Sequence, residues 1–233
     1  MYYIGIDLGT SATKLLLMEE SGKICNVVSK EYPMEFPQPG WSQQNPQDWK
    51  QALMEGIPQL LEGFDKSRVA GIGAGGQMHG LVVLDAGDNV IRPAILWNDG
   101  RTAKQVDYLN GVIGKEKLSA MTANIAFAGF TAPKILWMRE NEPELFEKTA
   151  MFLSVPDYIS MKMTGIPAVD MSDAGNNQFA NIRTGSYDPE ILKFSGVRED
   201  QLPKLVHSGD VIGHLTAEAA EAMGLSTDCV LVA

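Results

Sequence analysis

Tyr2-Tyr3-Ile4-Gly5-Ile6-Asp7-Leu8-Gly9-Thr10-Ser11-Ala12-Thr13-Lys14, continued by Leu15-Leu16-Leu17-Met18, is the stretch on which the fold turns. Tyr2–Ile6 is apolar and β-prone, and it delivers Asp7 to the end of a strand. A glycine and two hydroxyl residues follow at once, then a second β-like run, Lys14–Met18. A strand, a tight turn and a strand with an acid at the bend can hold a phosphate chain and its metal ion. Gly9 lets the backbone come close to phosphate because it has no side chain. Thr10 and Ser11 offer hydroxyl and N–H donors, while Asp7 offers hard oxygens to Mg²⁺ or to its waters. The same residues also suit an ordinary hairpin in which Asp-Leu-Gly-Thr is turn chemistry.

Outward from this turn, Ile24–Tyr32 reads as a third strand, with Glu20-Ser-Gly22 turning the second into it. A Pro- and Gln-rich loop spans Pro33 to Asn45. Asn45 then caps a helix that has Pro46 at its first position and Asp48 in its first turn. Trp49, Ala52, Leu53, Gly56, Ile57 and Leu60 form one apolar stripe along it, and Pro58 predicts a kink or a split. Arg68–Ala74 reads as a buried strand, followed by a hairpin of Leu81–Leu84 and Val90–Trp97. Helices are expected over 100–111, with Asp99 as a cap, and over Pro133–Glu140, Pro143–Lys148, Pro156–Met163, Pro189–Phe194 and Ala217–Met223. The stretch from about 112 to 215 reads as a helical insertion. Asp228–Ala233 reads as a strand still apolar at its last residue, so a longer protein is expected, with this chain its N-terminal part.

Composition narrows the function. The 233 residues suffice for one large domain, or a domain with a small lobe. Nineteen basic against 29 acidic residues give a formal net charge of −10, a surface that repels nucleic acid and anionic membranes. No apolar run approaches the about 20 residues of a membrane span, and no signal-peptide pattern opens the chain. Cys25 and Cys229 read as buried thiols in a reducing cytoplasm, with a disulfide as the alternative. The three histidines, His79, His207 and His214, have no metal-ligand spacing with them.

Gly71-Ile-Gly-Ala-Gly-Gly76 matches the dinucleotide fingerprint G-x-G-x-x-G, but the apolar, β-branched run after it has no helical stripe, so the required helix is not expected. The glycines instead let a strand end pass close to a ligand. Two clusters sit where strands end: Gln77-Met78-His79 and Trp97-Asn98-Asp99-Gly100-Arg101. They combine neutral donors and acceptors, an aromatic face, a carboxylate and a guanidinium. That mixture suits a polyhydroxylated ligand, whose hydroxyls need paired donors and acceptors and whose C–H face packs on a ring. Each residue also has a plain alternative: a structural histidine, a core tryptophan, an aspartate that only caps a helix.

The opening turn resembles the first phosphate loop of actin, Hsp70-type chaperones and sugar kinases. Three strands, a helix, a strand, a helix and a closing strand match the mixed α/β sheet, flanked by helices, of that ribonuclease-H-like (actin-like ATPase) fold. Asp7-Leu-Gly-Thr-Ser11, Gly40-Trp-Ser42 with Asn45-Pro-Gln-Asp-Trp49, Gly76-Gln-Met-His-Gly80, Ile95-Leu-Trp-Asn-Asp-Gly-Arg101 and Gly129-Phe-Thr-Ala-Pro-Lys134 resemble the FGGY carbohydrate kinases. Within that family they look most like the xylulokinase group. Gln-Met-His-Gly with Trp-Asn-Asp-x-Arg separates it from the glycerol kinases, which carry Arg-Glu at the first position.

The resemblance implies ATP-dependent phosphorylation of a ketopentose, most closely D-xylulose, in the cytoplasm. It implies that Gln77, Met78 and His79 contact the sugar, with Trp97, Asp99 and Arg101 around it. Asp7 would act in catalysis by holding Mg²⁺ through water, and Thr10, Ser11 and Lys14 would lie near the transferred phosphate. The family's general base, an aspartate, and its nucleotide lobe lie beyond residue 233. After Asp170-Met-Ser-Asp173-Ala the family continues Ser-Gly-Thr, where this chain has Gly175-Asn-Asn177. Sugar and ATP are the expected partners, with no nucleic acid and no membrane, and a homodimer is left open. The rival readings are an actin- or Hsp70-like ATPase that binds protein, and a non-catalytic sugar-binding regulator.

Overall fold

Tyr2, Ile4, Ile6 and Leu8 are buried while Tyr3 and Asp7 between them are exposed, so the first strand has one covered face and one open face. In the computed structural model, which describes residues 1–233, this strand is β1 (Tyr2–Leu8). It pairs antiparallel with β2 (Ala12–Glu19), which pairs antiparallel with β3 (Ile24–Glu31). On its other edge β1 runs parallel to β4 (Val69–Gly76). Two further strands, β5 (Val211–His214) and β6 (Val230–Val232), complete a six-stranded sheet of order β5-β6-β4-β1-β2-β3. This is the mixed sheet expected from the sequence, with the meander, the parallel strand and the closing strand in place.

The helix α1 (Pro46–Leu60) forms as its signals require: the Asn45 side chain accepts the amide of Gln47, and all six stripe residues are buried. The helix runs unbroken through Pro58, so the expected split does not occur. Only two residues separate that proline from the helix end, where tertiary packing holds the last turn. Gly56 marks its closest approach to the sheet, since a Cβ there would lie 2.4 Å from Leu15 Cδ1. With α6 (Val155–Thr164) and α9 (Ala217–Met223), α1 covers one face of the sheet over a shared apolar core.

A second core lies outside the sheet, around α4 (Thr131–Asn141), and includes Leu81, Val83, Ile95, Ile135 and Phe152. The helices expected at 143–148 and 217–223 form with those bounds, and those at 133–140, 156–163 and 189–194 form three, two and one residues longer. The helix expected over 100–111 is shorter, Ala103–Tyr108, and continues as a π-helical stretch to Gly114. Thr102, not Asp99, occupies its N-cap. Helices at Lys115–Thr122 and Met171–Asn176 carry no strong apolar stripe and are not foreseen from periodicity. The stretch 112–215 is not wholly helical, because Met151–Leu153 pairs with Val82–Leu84 and β5 joins the main sheet. The expected hairpin survives as Ala94–Ile95 and isolated bridges Leu81↔Ile95 and Leu84↔Val90. Cys25 and Cys229 are free thiols, and Cys25 is only half-buried.

Candidate functional site

At the end of β1 the chain must reverse within four residues, and Gly9 makes this feasible: a Cβ there would fall 2.8 Å from the Ala12 carbonyl oxygen. The turn's carbonyls are held from behind. The Tyr32 hydroxyl donates to Gly9 O, and Gln44 Nε2 donates to Thr10 O at 2.7 Å. The amides of Gly9, Thr10 and Ser11 have no internal acceptor. Pinned carbonyls with free amides make a small cradle of N–H donors, the arrangement that anions bind. Asp7 lies beside it, exposed, with Lys14 as its cross-strand neighbour on β2 and Gly75 as its neighbour on β4. No ion pair forms between Asp7 and Lys14.

β4 continues through its glycines to Gly76, and no helix starts there, so the phosphate-gripping helix of a dinucleotide site is missing. Gly76 passes so close to β1 that a Cβ would lie 2.5 Å from Leu8 O. Gln77 then donates its amide N–H to Leu8 O at 2.7 Å. Its side-chain Nε2 donates to Gln44 Oε1 at 3.1 Å, while its own buried Oε1 has no partner. Met78 projects outward, 53% exposed. His79 adopts a left-handed backbone, φ 62°, and its buried Nδ1 is unpartnered. The ring packs on Phe130 with centroids 4.4 Å apart. Burial first, and then the nearby Lys134 charge, depress its pKa to about 4. The imidazole is therefore neutral at ordinary pH, able to donate or accept a hydrogen bond without carrying charge.

Trp97 presents a half-exposed ring and donates Nε1–H to Thr10 Oγ1 at 3.0 Å. Asp99 does not cap the helix that follows it, and its partner is Arg101. Arg101 grips Asp99 through Nε and Nη2, at 2.9 and 2.8 Å, and both side chains are fully buried. Asp99 also accepts the amides of Ser42 and Arg101. The Arg101 guanidinium lies 3.8 Å from the Trp41 ring centroid and 4.9 Å from that of Trp137. Paired and stacked in this way, these two residues set the position of the Trp97 loop. Arg101 Nη1 alone remains buried and unpartnered.

Three residues that build the site went unassigned in the sequence. Gln44 links the phosphate turn, Trp49 Nε1 and Gln77, yet a buried glutamine has no periodic signature. Tyr32 lies just past the end of β3 and looks in sequence like an ordinary β residue. Lys134 sits inside the quoted Gly129–Lys134 motif and is wholly buried on α4. Its Nζ donates to His79 O at 2.5 Å and to Gly129 O at 2.6 Å. Burial pushes its pKa down to about 7.

The residues Gly175-Asn177 close a short helix, where the Asn177 side-chain oxygen accepts the Thr131 hydroxyl at 2.5 Å. Beside them Asp157, Asp170 and Asp173 line a cavity of about 270 Å³ that reaches Gly75 and Gly76. Asp157 is buried in the capping box of α6, and burial reinforced by Asp173 raises its pKa to about 7. No group of three or more His, Cys, Asp or Glu side chains gathers closely enough to bind a bare metal ion. A single carboxylate still suits Mg²⁺, which keeps several waters and usually arrives with phosphates. Asp7 beside the amide cradle meets that requirement.

The model of the N-terminal domain of the FGGY family of carbohydrate kinases matches residues 2–233. The chain belongs to this family. Xylulose kinase of Bacillus subtilis is 42% identical over 226 residues, covering 96% of this chain and 45% of that protein. Among solved structures, xylulose kinase from Rhodospirillum rubrum superposes with a TM-score of 0.96 at 27% identity, covering all of this chain and 48% of its own. Gluconate kinase from Lactobacillus acidophilus superposes with a TM-score of 0.94, also at 27% identity, over 99% of this chain and 47% of its own. The chain thus spans about half the length of the curated relatives it matches. The fold is the actin-like one of FGGY kinases, and the Gly9–Ser11 turn and both polar clusters lie at one end of its sheet. No helix is long and apolar enough to cross a membrane.

Proposed function

We propose that this chain is the sugar-binding lobe of a cytoplasmic, ATP-dependent kinase that phosphorylates a ketopentose, most closely D-xylulose. The observation that carries the reading is the hydrogen bond from Trp97 Nε1 to Thr10 Oγ1, which joins the sugar-type cluster to the phosphate turn. Around it, His79 Nδ1, Gln77 Oε1 and Arg101 Nη1 are buried polar atoms without partners. Native structures rarely leave such atoms unsatisfied, and in this reading a bound sugar, or water beside it, supplies their partners.

In this reading a sugar hydroxyl attacks the γ-phosphorus of ATP. The phosphate cradle of residues 9–11 and the Lys14 ammonium stabilise the charge on the transferred group. Mg²⁺, held by Asp7 through water, supplies further charge neutralisation when bound. His79 is too weak a base to take the hydroxyl proton, since its pKa lies near 4. It orients the sugar instead. The proton acceptor is proposed to come from the half of the protein that this chain does not span, and closure of two lobes then assembles the site.

A coupled ADP-release assay on the full-length protein, with D-xylulose, gluconate and glycerol offered separately, tests the reading. Preferential turnover of D-xylulose supports it. ATP hydrolysis indifferent to all three sugars would favour a protein-binding ATPase, and sugar binding without turnover a regulator.

A further inference from the structure

α4 is buried along its first two and a half turns, from Thr131 to Met138, so it is a fixed post rather than a surface helix. From it Lys134 reaches two loops, one that carries His79 and one that packs on Trp97. One bond goes to the carbonyl of His79, whose backbone is left-handed although it is not a glycine. The Thr131 hydroxyl, one turn earlier on α4, lies 3.3 Å from the same carbonyl while making its shorter bond, 2.5 Å, to Asn177 Oδ1. The other bond goes to the carbonyl of Gly129. Gly129 in turn packs directly on the Trp97 backbone: a Cβ there would lie 2.4 Å from Trp97 O. No carboxylate lies within ion-pair distance of Lys134, so its buried ammonium is satisfied by main-chain carbonyls alone.

Asp99, already paired with Arg101, is the nearby carboxylate whose charge acts on it, and a buried ammonium without a direct ion-pair partner is unfavourable unless hydrogen bonds compensate it. We propose that Lys134 is a positioning residue for the sugar site, clamping the His79 turn and the Trp97 loop to one rigid helix. The inference rests on the sugar-kinase reading for its functional consequence, while the clamp itself is a property of this chain. Lys134 touches no substrate. It acts by keeping His79 in the left-handed conformation that directs its ring against Phe130, and by holding Gly129 against Trp97.

Lys134→Met removes the donors and keeps the side chain's length, while Lys134→Arg keeps donors and charge. Two readouts on the full-length protein decide the matter. In amide hydrogen exchange, Lys134→Met is expected to speed exchange at residues 77–81 and 96–100 and to leave β1, β2 and β3 unchanged. In steady-state kinetics it is expected to raise the KM for D-xylulose about tenfold with the KM for ATP nearly constant, and Lys134→Arg to recover part of the loss. Unchanged exchange at both loops overturns the clamp whatever the ligand proves to be, as does an equal loss toward sugar and nucleotide. If Lys134→Met does not accumulate as folded protein, Lys134→Gln, neutral but still a donor, is read in its place by the same criteria. Absence of D-xylulose turnover by the unmodified protein would instead defeat the kinase reading, and the exchange result would still judge the clamp.

Discussion

Trp97 and Thr10, 87 positions apart in sequence, share a 3.0 Å hydrogen bond from the indole N–H to the threonine hydroxyl. One belongs to the aromatic cluster at a strand end and the other to the turn between β1 and β2. In the proposed function, a sugar packed on Trp97 is thereby held in register with a phosphate at the amides of residues 9–11.

Removing this link is expected to weaken catalysis more than stability. Trp97→Phe keeps the aromatic face and loses the donor; Thr10→Val keeps the shape and loses the acceptor. Each should lower kcat/KM for D-xylulose, and the double variant should lose less than the sum, with a coupling of about 1 kcal/mol. Melting temperatures should move little, because Trp97 is 46% exposed. Strictly additive losses would show that the two residues act separately.

Asp7→Asn should remove metal-dependent turnover and spare sugar binding. Asparagine keeps the size of the side chain but loses the charge that attracts Mg²⁺ and its waters. A loss in kcat on the order of 100-fold is expected, with xylulose affinity by calorimetry unchanged. Normal turnover at low Mg²⁺ in this variant would reduce the opening turn to a simple hairpin.

His79→Ala should raise the KM for xylulose about tenfold, since a ligand hydroxyl loses its partner. The KM for ATP should stay constant. Because the His79 pKa is depressed to about 4, the unmodified protein should show no inflection in kcat/KM near pH 6.5 that this variant abolishes. Such an inflection would mean that the imidazole is charged in the working site.

Asp157 makes the stability of this domain depend on pH in an unusual direction. Its carboxyl is raised from 3.8 to about 7 by burial and by Asp173, so between those values the folded state binds more protons than the unfolded one. Stability therefore falls as pH rises from about 4 to 7, by an amount on the order of 4 kcal/mol. Asp157→Asn cannot ionise. Its stability relative to the unmodified protein should rise between pH 4.5 and 7.5 in thermal melts, with a residual slope left by Asp173, whose pKa burial also raises. Parallel melting curves for the two proteins across that range would show that Asp157 is charged in the fold.

The local parts of this protein are legible in its sequence because their causes are local. Alternation of Ile4, Ile6 and Leu8 with exposed residues makes a strand. Asn45, Pro46 and the Trp49–Leu60 stripe make a helix with the bounds they suggest, and Thr216 with Gly224 does the same for α9. The turn after the first strand is equally visible, since Asp7, Gly9, Thr10 and Ser11 lie within five consecutive positions. The roles of Asp99 and Arg101 are not. As neighbours in sequence they resemble a helix cap and a surface cation, and only Ser42, Trp41 and Trp137, brought in from other elements, bury them as a stacked pair.

The tertiary structure alone decided Gln44, Lys134 and Asp157. Gln44 joins Thr10, Trp49 and Gln77 through bonds that span up to 34 positions, and Lys134 reaches His79 across 55. Short strands such as Val82–Leu84 with Met151–Leu153 exist because a distant partner supplies the hydrogen bonds that three residues cannot supply for themselves. Periodicity and capping report how a residue sits relative to its neighbours along the chain. A buried polar group is defined by what desolvates it and what satisfies it, and those atoms meet only once the chain has folded.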